Sequence, residues 1–434
     1  MRRDLLVSTT IIRNGRVIDP ANRRDEISDL FIVGGKIVGS KFAIRSPQSE
    51  IEEIDATGLI VAPGLIDIHV HLREPGFSHK ETIESGARAA AAGGFTTIVC
   101  MPNTSPVPDN AGTIAWIKDR ASAIGCVNVL PTGAISKNLA GEELAPIGSL
   151  AQAGVVAITD DGHCIQNHEV MRRAVEYARM VGVPVLDHCQ DYNLVGNGVV
   201  HEGYWSTLLG LPSWPAAGEE AIVMRNVLLA ELCDHPIHCQ HVSAAGSVRL
   251  IREARGRGVK ISGEVCPHHV ALTDEAIQNF DTNCKVNPPL RSRTDVDALL
   301  DGIADGTLSI LCSDHAPHAD FEKEVEFDVA PFGMIGLETE LGLFIDLLVH
   351  KHGRIDIVRL IEMYSVEPAR LLKLDSGSLS TGARADVTLI DSGLEWTVRV
   401  DQFQSASRNS PFDGWKLKGR AVRTIVGGKT VWKL

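Results

Sequence analysis

The sequence lacks the features that mark membrane proteins and disulfide-stabilised secreted domains. No stretch approaches the ~20 consecutive apolar residues that a membrane span needs, and the N-terminus MRRDLLVSTTIIRNG has no apolar core of a signal peptide. The 9 cysteines include no C-x-x-C pair, which argues against both a disulfide framework and a thiolate zinc knuckle. We therefore expect a cytoplasmic protein with no membrane partner.

Positive charge is also scarce. The chain of 434 residues has 42 lysines and arginines against 55 aspartates and glutamates, so its formal net charge is -13. Nucleic acids would be repelled over most of such a surface, which excludes broad nucleic-acid binding and favours a small-molecule substrate. One arginine in a cleft could still bind an anionic substrate.

Short strand-like runs with tight turns occupy both ends of the chain. Asn14-Gly15 and Gly34-Gly35 separate such runs near the N-terminus, and Gly427-Gly428 does so near the C-terminus. These dipeptides supply the positive φ that two-residue hairpin turns require. We predict a hairpin at each of the three turns and one small β domain formed by both termini.

Between these ends, apolar strand-like runs alternate with helical segments, the pattern of parallel βα units. Apolar residues recur at intervals of three and four in Asn167–Val181 and Ala217–Cys233, which predicts helices there. The predicted strands are Leu65–His69, Thr96–Met101, Val127–Thr132, Val155–Thr159, Pro184–His188, Ile237–His241, Lys260–Cys266 and Ser309–Ser313. Eight strands favour a closed barrel, and an open doubly wound sheet is the alternative.

Residue types that bind metals recur at the carboxyl ends of these strands. They are His69, His71, Asp161, His188, His241 and Asp314. In a barrel those ends share one face, where such folds place their active sites. Imidazoles and carboxylates together suit one or two zinc ions. In H-x-H, alternate strand residues point the same way, so both rings can reach one ion.

Each of these residues also has an ordinary structural interpretation. His69 and His71 alone could be core or surface histidines, and His188 and His241 could be buried histidines with satisfied hydrogen bonds. Asp314 could cap a helix or stabilise a turn. The convergence of all the candidates on one face favours the metal site, where Asp314 would also exchange a proton with the attacking water.

Several segments resemble a known family. GLIDIHVHLREPG, VCMPNTSP, TDDG, VNPPLR, and SDHAPH followed by PFG occur in order across nearly the whole chain. Together they resemble the signature of the dihydroorotase family in the amidohydrolase superfamily. The resemblance implies a (β/α)8 TIM-type barrel at 58–365 and a small β-sandwich domain from 1–57 and 366–434. It also implies a cyclic amide hydrolase that interconverts N-carbamoyl-L-aspartate and L-dihydroorotate in pyrimidine biosynthesis.

The resemblance also implies a pair of zinc ions. The first would be held by His69, His71 and Asp314, the second by His188 and His241, and both by Asp161 as the bridge. Many superfamily members bridge their ions with a carboxylated lysine, but the chain has no lysine between Lys137 and Lys260. TDDG instead resembles the bacterial branch with an aspartate bridge, for which Asp161 is preferred to Asp160 from its distance to His188.

Arg73 indicates the substrate, because arginine can bind a carboxylate through two charge-assisted hydrogen bonds. The other contacts implied by the resemblance are Asn103, Asn287, His318 and the backbone at Phe332 and Gly333. A surface ion pair for Arg73 and a turn role for Asn103 are the structural alternatives, and the rest could be loop residues. His268 and His269 are interpreted as structural.

Alternative functions stay open at this point. A dihydropyrimidinase or allantoinase would share the fold, although those families resemble lysine-bridged sites. A non-catalytic partner of aspartate carbamoyltransferase would typically lack metal ligands that this chain keeps. The resemblance further implies a homodimer and leaves open whether a carbamoyltransferase partner is needed. The connection 190–215 could border either the site or an interface.

Overall fold

The computed structural model describes residues 8–39 and 51–434 as a mixed α/β structure, so residues 1–7 and 40–50 of the predicted β domain lie outside the described residues. The strands are β1 (Thr9–Asp19), β2 (Arg24–Val33), β3 (Lys36–Val38), β4 (Ile51–Asp55), β5 (Ile60–Pro63), β6 (Leu65–Val70), β7 (Phe95–Cys100), β8 (Asn128–Pro131), β9 (Val185–Asp187), β10 (Val200–His201), β11 (Ser213–Trp214), β12 (Ile237–Cys239), β13 (Ile261–Val265), β14 (Ile310–Leu311), β15 (Val387–Thr397), β16 (Lys416–Val426) and β17 (Lys429–Lys433). The α-helices are α1 (Ile83–Gly93), α2 (Ala111–Ile124), α3 (Ile147–Ala153), α4 (His168–Val181), α5 (Tyr192–Val195), α6 (Tyr204–Leu209), α7 (Ala217–Cys233), α8 (Ala245–Gly256), α9 (Pro267–Ala271), α10 (Arg293–Ala304), α11 (Asp320–Lys323), α12 (Glu340–Phe344), α13 (Ile357–Tyr364) and α14 (Val366–Leu372).

Strands from both ends of the chain form one sheet, in the order β17-β16-β15-β5-β1-β2-β3 with β4 paired to β1. Apolar residues of β1, β2, β15 and β16 share one buried cluster, which includes Ile12, Ile32, Val387 and Ile425. The sheet therefore has its own core, as predicted for a β domain formed by both termini. The domain boundaries at 57/58 and 365/366 stay a prediction.

The predicted hairpin at Asn14-Gly15 is wrong. β1 runs unbroken through this dipeptide, and its residues on both sides pair with β2, with a shift of register between Ile12 and Gly15. The positive φ of Asn14, 59°, therefore belongs to a β-bulge. A left-handed residue occurs in bulges, where one strand has an extra residue, as well as in tight turns. The dipeptide correctly indicated a left-handed backbone conformation, but the chain does not change direction there.

The hairpins predicted at the other turns are confirmed, and these turns contact each other. Gly34-Gly35 joins β2 to β3, and Gly427-Gly428 joins β16 to β17. A Cβ atom added to Gly428 would lie 2.9 Å from Cα of Gly35, so both glycines are needed for this close approach. The backbone of Ala385 donates to the carbonyl of Gly35 and accepts from the N–H of Gly428. The first and last hairpins of the sheet thus pack together.

The barrel strands form a parallel ring. β6, β7 and β8 are consecutive neighbours, as are β9, β12, β13 and β14. Parallel bridges from Ile158 to Gly133 and to Val185 join these sheets on one side, and the parallel bridge between Val70 and His315 joins them on the other. The ring is therefore closed, which confirms the barrel and excludes the open sheet.

The predicted barrel strands agree with this ring except in length. Val155–Thr159 contributes only the bridges of Ile158, and Ser309–Ser313 shortens to β14. Apolar residues of β6, β7, β9 and β14 form one cluster with Ala369 and Leu372 of α14, which joins different sides of the ring. Sequence runs of apolar residues located this core, but they could not show where regular pairing stops.

Several helices begin at a residue whose side chain caps them, among them α1, α2, α4, α10 and α13. Asn167 accepts hydrogen bonds from the backbone N–H groups of Glu169 and Val170 and so caps α4, which ends at Gly182 in the left-handed conformation. The predicted helices are confirmed as α4 and α7. Among the described residues, no helix has the length and apolar character to cross a membrane.

Candidate metal centre and substrate cavity

The residues predicted as metal ligands lie together at the carboxyl ends of the barrel strands. We call this group the metal side of the site, and it consists of His69, His71, Asp161, His188, His241 and Asp314. His69 is in β6, whereas the others follow β6, the Ile158 bridge, β9, β12 and β14. All are buried, with relative exposures of 7% or less. These side chains converge because the carboxyl ends of all the parallel barrel strands lie on one face.

One half of the metal side centres on two imidazoles and two carboxylates. His69 Nε2 lies 3.3 Å from Asp161 Oδ1 and 3.5 Å from Asp314 Oδ1. His71 Nε2 lies 3.0 Å from Asp314 Oδ1 and 3.4 Å from Asp161 Oδ2. Ligand atoms of His69, His71 and Asp314 are close enough to one another to hold a single ion.

The other half brings His188 and His241 to the same aspartate. His188 Nδ1 and His241 Nε2 each lie 3.7 Å from Asp161 Oδ1 and 2.8 Å from each other. Asp161 thus faces all of the histidines, with one oxygen 3.4 Å from His71 and the other toward His69, His188 and His241. This is the position that a bridging carboxylate would occupy.

Both the residue types and their buried atoms without hydrogen-bond partners are suited to binding a metal ion. His69 Nε2 and Asp161 Oδ1 are buried without a hydrogen-bond partner. Buried polar atoms without partners are costly, and a cation between converging nitrogen and oxygen atoms would satisfy them. Imidazole and carboxylate donors suit borderline divalent cations.

Asp160, the alternative bridge, points away from the histidines. Its carboxylate accepts from the backbone N–H groups of Ile135 at 2.7 Å and Ser136 at 3.1 Å, and from the hydroxyl of Ser136. Burial raises the pKa of Asp160 to about 7, although these hydrogen bonds act in the opposite direction. Asp160 therefore orders a loop, and Asp161 is the member of TDDG that faces the site.

The acids and histidines of the metal side shift each other's pKa values. Burial opposes ionisation of Asp161 and Asp314, but the neighbouring histidines outweigh it and hold the pKa of both carboxyls below the usual range. Burial and the nearby His241 lower the pKa of His188 to about 4, so this imidazole is neutral at pH 7. Burial opposes the charged form of His69, but Asp161, Asp314 and Glu264 outweigh it and raise the His69 pKa, so this imidazole must release its proton when it binds a metal.

Glu264 supports the metal side and was missed from the sequence. Its Oε1 lies 2.6 Å from His69 Nδ1 and accepts from the backbone N–H of His241, and its Oε2 lies 3.1 Å from His238 Nε2. When Nδ1 of His69 donates to this carboxylate, the Nε2 lone pair is left to face the site. The signal was present, since Glu264 is an acid inside the apolar strand β13.

Gln190 and Asn103 orient two more of the imidazoles. Gln190 Oε1 lies 2.8 Å from His188 Nε2 and accepts from Asn287 Nδ2 at 3.1 Å. Asn103 Oδ1 lies 3.0 Å from His71 Nδ1. Gln190, like Glu264, was not predicted from the sequence. Its contacts show that the start of the 190–215 connection borders the site. Asn103 holds a metal-side histidine as well as lining the cavity.

A cavity of about 330 Å³ extends from the metal side. We call its other wall the substrate side, which consists of Arg73, Asn103, Asn287, His318, Phe332 and Gly333. All of these predicted substrate contacts line the cavity, together with every metal-side residue except His69. The structure therefore brings the predicted metal ligands and the predicted substrate contacts to one cavity.

Arg73 is partly buried in this wall. Its Nε donates to the carbonyl of Pro317 at 3.1 Å. Burial lowers the pKa of Arg73 to about 10, and the carboxylates of Asp314 and Asp161 oppose this shift. The guanidinium thus stays cationic at neutral pH in a partly desolvated setting, where it attracts an anion more strongly than at the surface.

The remaining substrate-side groups are held by the protein itself. His318 Nε2 donates to the carbonyl of Phe332 at 2.8 Å, and burial with nearby Arg73 lowers the His318 pKa to about 2. The Gly333 N–H donates to the carbonyl of Lys285 at 2.8 Å. A Cβ atom at Gly333 would lie 2.7 Å from that of Ala316, and φ is 130°, so only glycine fits. Asn287 Oδ1 is buried and unpartnered.

His268 and His269 form a separate buried group with Cys266. His269 Nε2 donates to the carbonyl of Pro288 at 3.0 Å, which ties α9 to the loop carrying Asn287. This contact is consistent with the structural interpretation of the pair.

Comparison with known proteins places this geometry in a family. A family model described as Dihydro-orotase-like matches residues 58–247. A dihydroorotase of Pelotomaculum thermopropionicum is 51% identical over 421 residues, covering 97% of this chain and 98% of the relative. A dihydroorotase of Citrifermentans bemidjiense is 49% identical over 423 residues, covering 98% and 99%.

Solved structures share the fold at lower identity. The L-hydantoinase (dihydropyrimidinase) of Arthrobacter aurescens superposes with a TM-score of 0.85 at 26% identity, covering 98% of this chain and 96% of that one. The dihydropyrimidinase of Brevibacillus agri gives the same TM-score at 24% identity, which shows the fold alone. Full-length identity near one half is found instead with the curated relatives. The chain therefore belongs to the dihydroorotase family.

Proposed function

We propose that the protein is a zinc-dependent dihydroorotase that catalyses the reversible cyclisation of N-carbamoyl-L-aspartate to L-dihydroorotate in pyrimidine biosynthesis. It is a hydrolase of cyclic amides, in keeping with relatives named dihydroorotase at 51% and 49% identity. One observation carries the assignment of substrate: a partly buried, cationic Arg73 faces the same cavity as the metal side. A substrate with a carboxylate beside its ring explains that arginine, whereas an uncharged ring does not.

Two zinc ions are proposed. His69, His71 and Asp314 would hold the first, His188 and His241 the second, and Asp161 both. When bound, zinc supplies Lewis acidity that polarises a carbonyl and lowers the pKa of water toward ~7. The support for this assignment is the donor set and the unpartnered atoms of His69 and Asp161.

The protein's own residues would then bind the ring and move the proton. Arg73 binds the carboxylate through paired hydrogen bonds, and Asn287 Oδ1, which is buried and unpartnered, accepts from a ring N–H. Asn103, His318 and the main chain at Phe332 and Gly333 would border the ring. The Gly333 N–H already has a partner, so its contribution is shape and not that donor.

Asp314 is the proposed catalytic residue. Its pKa is held low, so the carboxylate is ionised and able to take a proton from the attacking water. In ring opening, water attacks the ring carbonyl, the C–N bond breaks, and Asp314 passes the proton to the leaving nitrogen. In ring closure, the carbamoyl nitrogen gives its proton to the same carboxylate as it forms the C–N bond with the substrate's protonated carboxyl group, and Asp314 returns that proton to the hydroxyl that leaves as water.

The first experiment is turnover by the zinc-loaded protein of dihydroorotate beside dihydrouracil, hydantoin and allantoin. We expect selective opening of dihydroorotate, and an Arg73→Lys variant whose KM for dihydroorotate is about 100-fold higher, because lysine cannot make the paired contact. The zinc content of both proteins serves as the control for intact metal binding. Preference for an uncharged ring would instead favour the dihydropyrimidinase function named for the solved relatives.

Partners and location are proposed on narrower grounds. The reaction requires only a small-molecule substrate. The cysteines are free and all but Cys126 are buried, which supports a cytoplasmic location. A homodimer and an association with aspartate carbamoyltransferase rest on the family resemblance, and sedimentation of the protein alone and mixed with the transferase would test both.

A further inference from the structure

The segment 404–410 lies between β15 and β16, in the part of the chain that builds the terminal sheet, yet it reaches the substrate side of the cavity. The Ser405 hydroxyl donates to the carboxylate of Glu81, and the Ser407 hydroxyl donates to the carbonyl of Lys80 at 2.7 Å. These contacts fix the segment to the chain just before α1. The C-terminal part of the protein is thereby anchored beside a site whose metal ligands all come from the barrel.

Within this segment, Asn409 connects the two loops that carry His318 and Gly333. Its Oδ1 accepts from the backbone N–H of His318 at 3.1 Å. Its Nδ2 donates to the carbonyls of Ala316 at 3.0 Å and Gly333 at 3.1 Å. Asn409 is only 3% exposed, so bulk water does not compete for these hydrogen bonds. One amide therefore links loops that are separate in sequence.

Lys323 supports one of these loops from the other direction. Its ammonium donates to the carbonyls of Pro331 at 2.8 Å and Gly333 at 2.9 Å. The Gly333 carbonyl thus accepts from both Lys323 and Asn409, which uses both of its lone pairs and fixes the plane of that peptide. Gly333 and Ala316 lie so close together that a Cβ atom at Gly333 would clash with Ala316. A small movement of either loop would therefore change the shape of the cavity.

We propose that Asn409 is a positioning residue for substrate binding, which acts through His318 and Gly333 to set the substrate side against Arg73. The proposal rests on the proposed function and adds to it a determinant outside the barrel. Asn409 is buried behind Ala316 and Gly333, which line the cavity, so it acts through them and not by touching the substrate. Its loss should weaken binding while leaving the metal side and the proton transfer by Asp314 intact.

The test compares Asn409→Ala and Asn409→Asp with a matched control, Asn128→Ala. Asn128 also joins the barrel to the terminal sheet, donating to the carbonyl of Thr96 at 3.0 Å and to Asp386 at 2.9 Å, but it begins β8 at the opposite end of the barrel. We expect both Asn409 variants to raise the KM for dihydroorotate by about 10-fold or more, with kcat within about 3-fold and zinc content unchanged. The control should leave KM unchanged.

Hydrogen exchange provides a second measurement that does not depend on turnover. In Asn409→Ala the His318 N–H loses its acceptor, so peptides spanning 316–318 should exchange faster than in the wild type. Asn409→Asp has the same shape and keeps that acceptor, but it cannot donate to Ala316 and Gly333. It should therefore protect His318 normally and still raise KM.

The outcomes separate this proposal from the proposed function. Unchanged KM in both Asn409 variants, or an equal rise in Asn128→Ala, would overturn the positioning role while the wild type still opens dihydroorotate. A wild type that does not open dihydroorotate would overturn the function. In that case normal exchange at 316–318 in Asn409→Ala would also overturn the positioning role, and faster exchange would support it.

Discussion

The metal side and the substrate side face each other across one cavity, but they are built differently. Metal-side residues sit at or just after strand ends, where the closed ring of hydrogen-bonded strands fixes their positions. Most substrate-side residues lie on loops, which are held by side chains from elsewhere, such as Lys323 and Asn409. The proposed metal ligands and proton-transfer group therefore depend on the barrel itself, whereas the shape of the proposed substrate wall depends on long-range contacts.

The difference suggests that damage to the two sides will have different consequences. A change on the metal side should reduce the rate of reaction or the affinity for metal. A change on the substrate side should alter binding, or the energetics of the loops, while leaving the chemical step in place. The following experiments test that separation, beginning with the largest expected effect.

Asp314→Asn should lower kcat for dihydroorotate by about 1000-fold or more in excess zinc, because an amide cannot accept and return the proton. The measurement is steady-state turnover at saturating substrate. Asp19→Asn is the matched control, since Asp19 is also buried but accepts from the backbone N–H of Leu379 in the terminal sheet. An Asp314→Asn variant with more than about a tenth of wild-type kcat would remove Asp314 from the mechanism.

Glu264→Gln should weaken zinc binding by about 10- to 100-fold, because the amide no longer fixes the tautomer of His69 as a carboxylate does. Competition with a chelator of known affinity measures the change. The control is Glu219→Gln, a buried glutamate that accepts from the backbone N–H groups of Ser243 and Ala244. If both variants bound zinc equally, the support that we assign to Glu264 would be wrong.

Lys323→Met should alter the pH dependence of stability. Burial, with nearby Lys285 acting in the same direction, lowers the Lys323 pKa from 10.5 to about 7. Above about pH 7 the unfolded chain still binds this proton whereas the folded protein has released it, so the wild type gains stability as pH rises toward 10.5 and loses it as pH falls toward 7.

The expected difference between the wild type and Lys323→Met is a slope of about 1 kcal/mol per pH unit between about pH 7.5 and about pH 9. Urea unfolding at several pH values gives the free energy of unfolding for each protein. Lys118→Met is the control, because Lys118 also donates to a backbone carbonyl, that of Ala153, but does so at the surface. Equal slopes for all three proteins would show that Lys323 stays protonated when folded.

The sequence allowed the convergence of the metal-side residues to be predicted because local patterns determine their positions. Apolar runs locate the strands, and a histidine or aspartate directly after such a run must lie at the shared end of the barrel. A different local pattern failed at Asn14-Gly15, where the turn dipeptide forms a β-bulge instead of a hairpin. Pairing with the neighbouring strand, and not the dipeptide alone, decides whether the chain turns.

The supports of the site could not be predicted in the same way. Glu264 was visible as an acid in an apolar strand, but its contact with His69 depends on the pairing of β13 in the barrel. Asn409 lies far along the chain from Ala316 and His318, and its surroundings contain no pattern that indicates a cavity. Contacts of this kind depend on tertiary packing, which spacing along the sequence does not encode.

Closure of the barrel has a consequence for protein synthesis. The bridge between Val70 and His315 and the hydrogen bond from the His71 N–H to the His315 carbonyl join the first barrel strand to the last, beside Asp314. A growing chain on the ribosome carries His69 and His71 long before Asp314 and then Asn409 emerge. A chain that ends before Asp314 therefore lacks both the closing bridge of the barrel and part of the metal side.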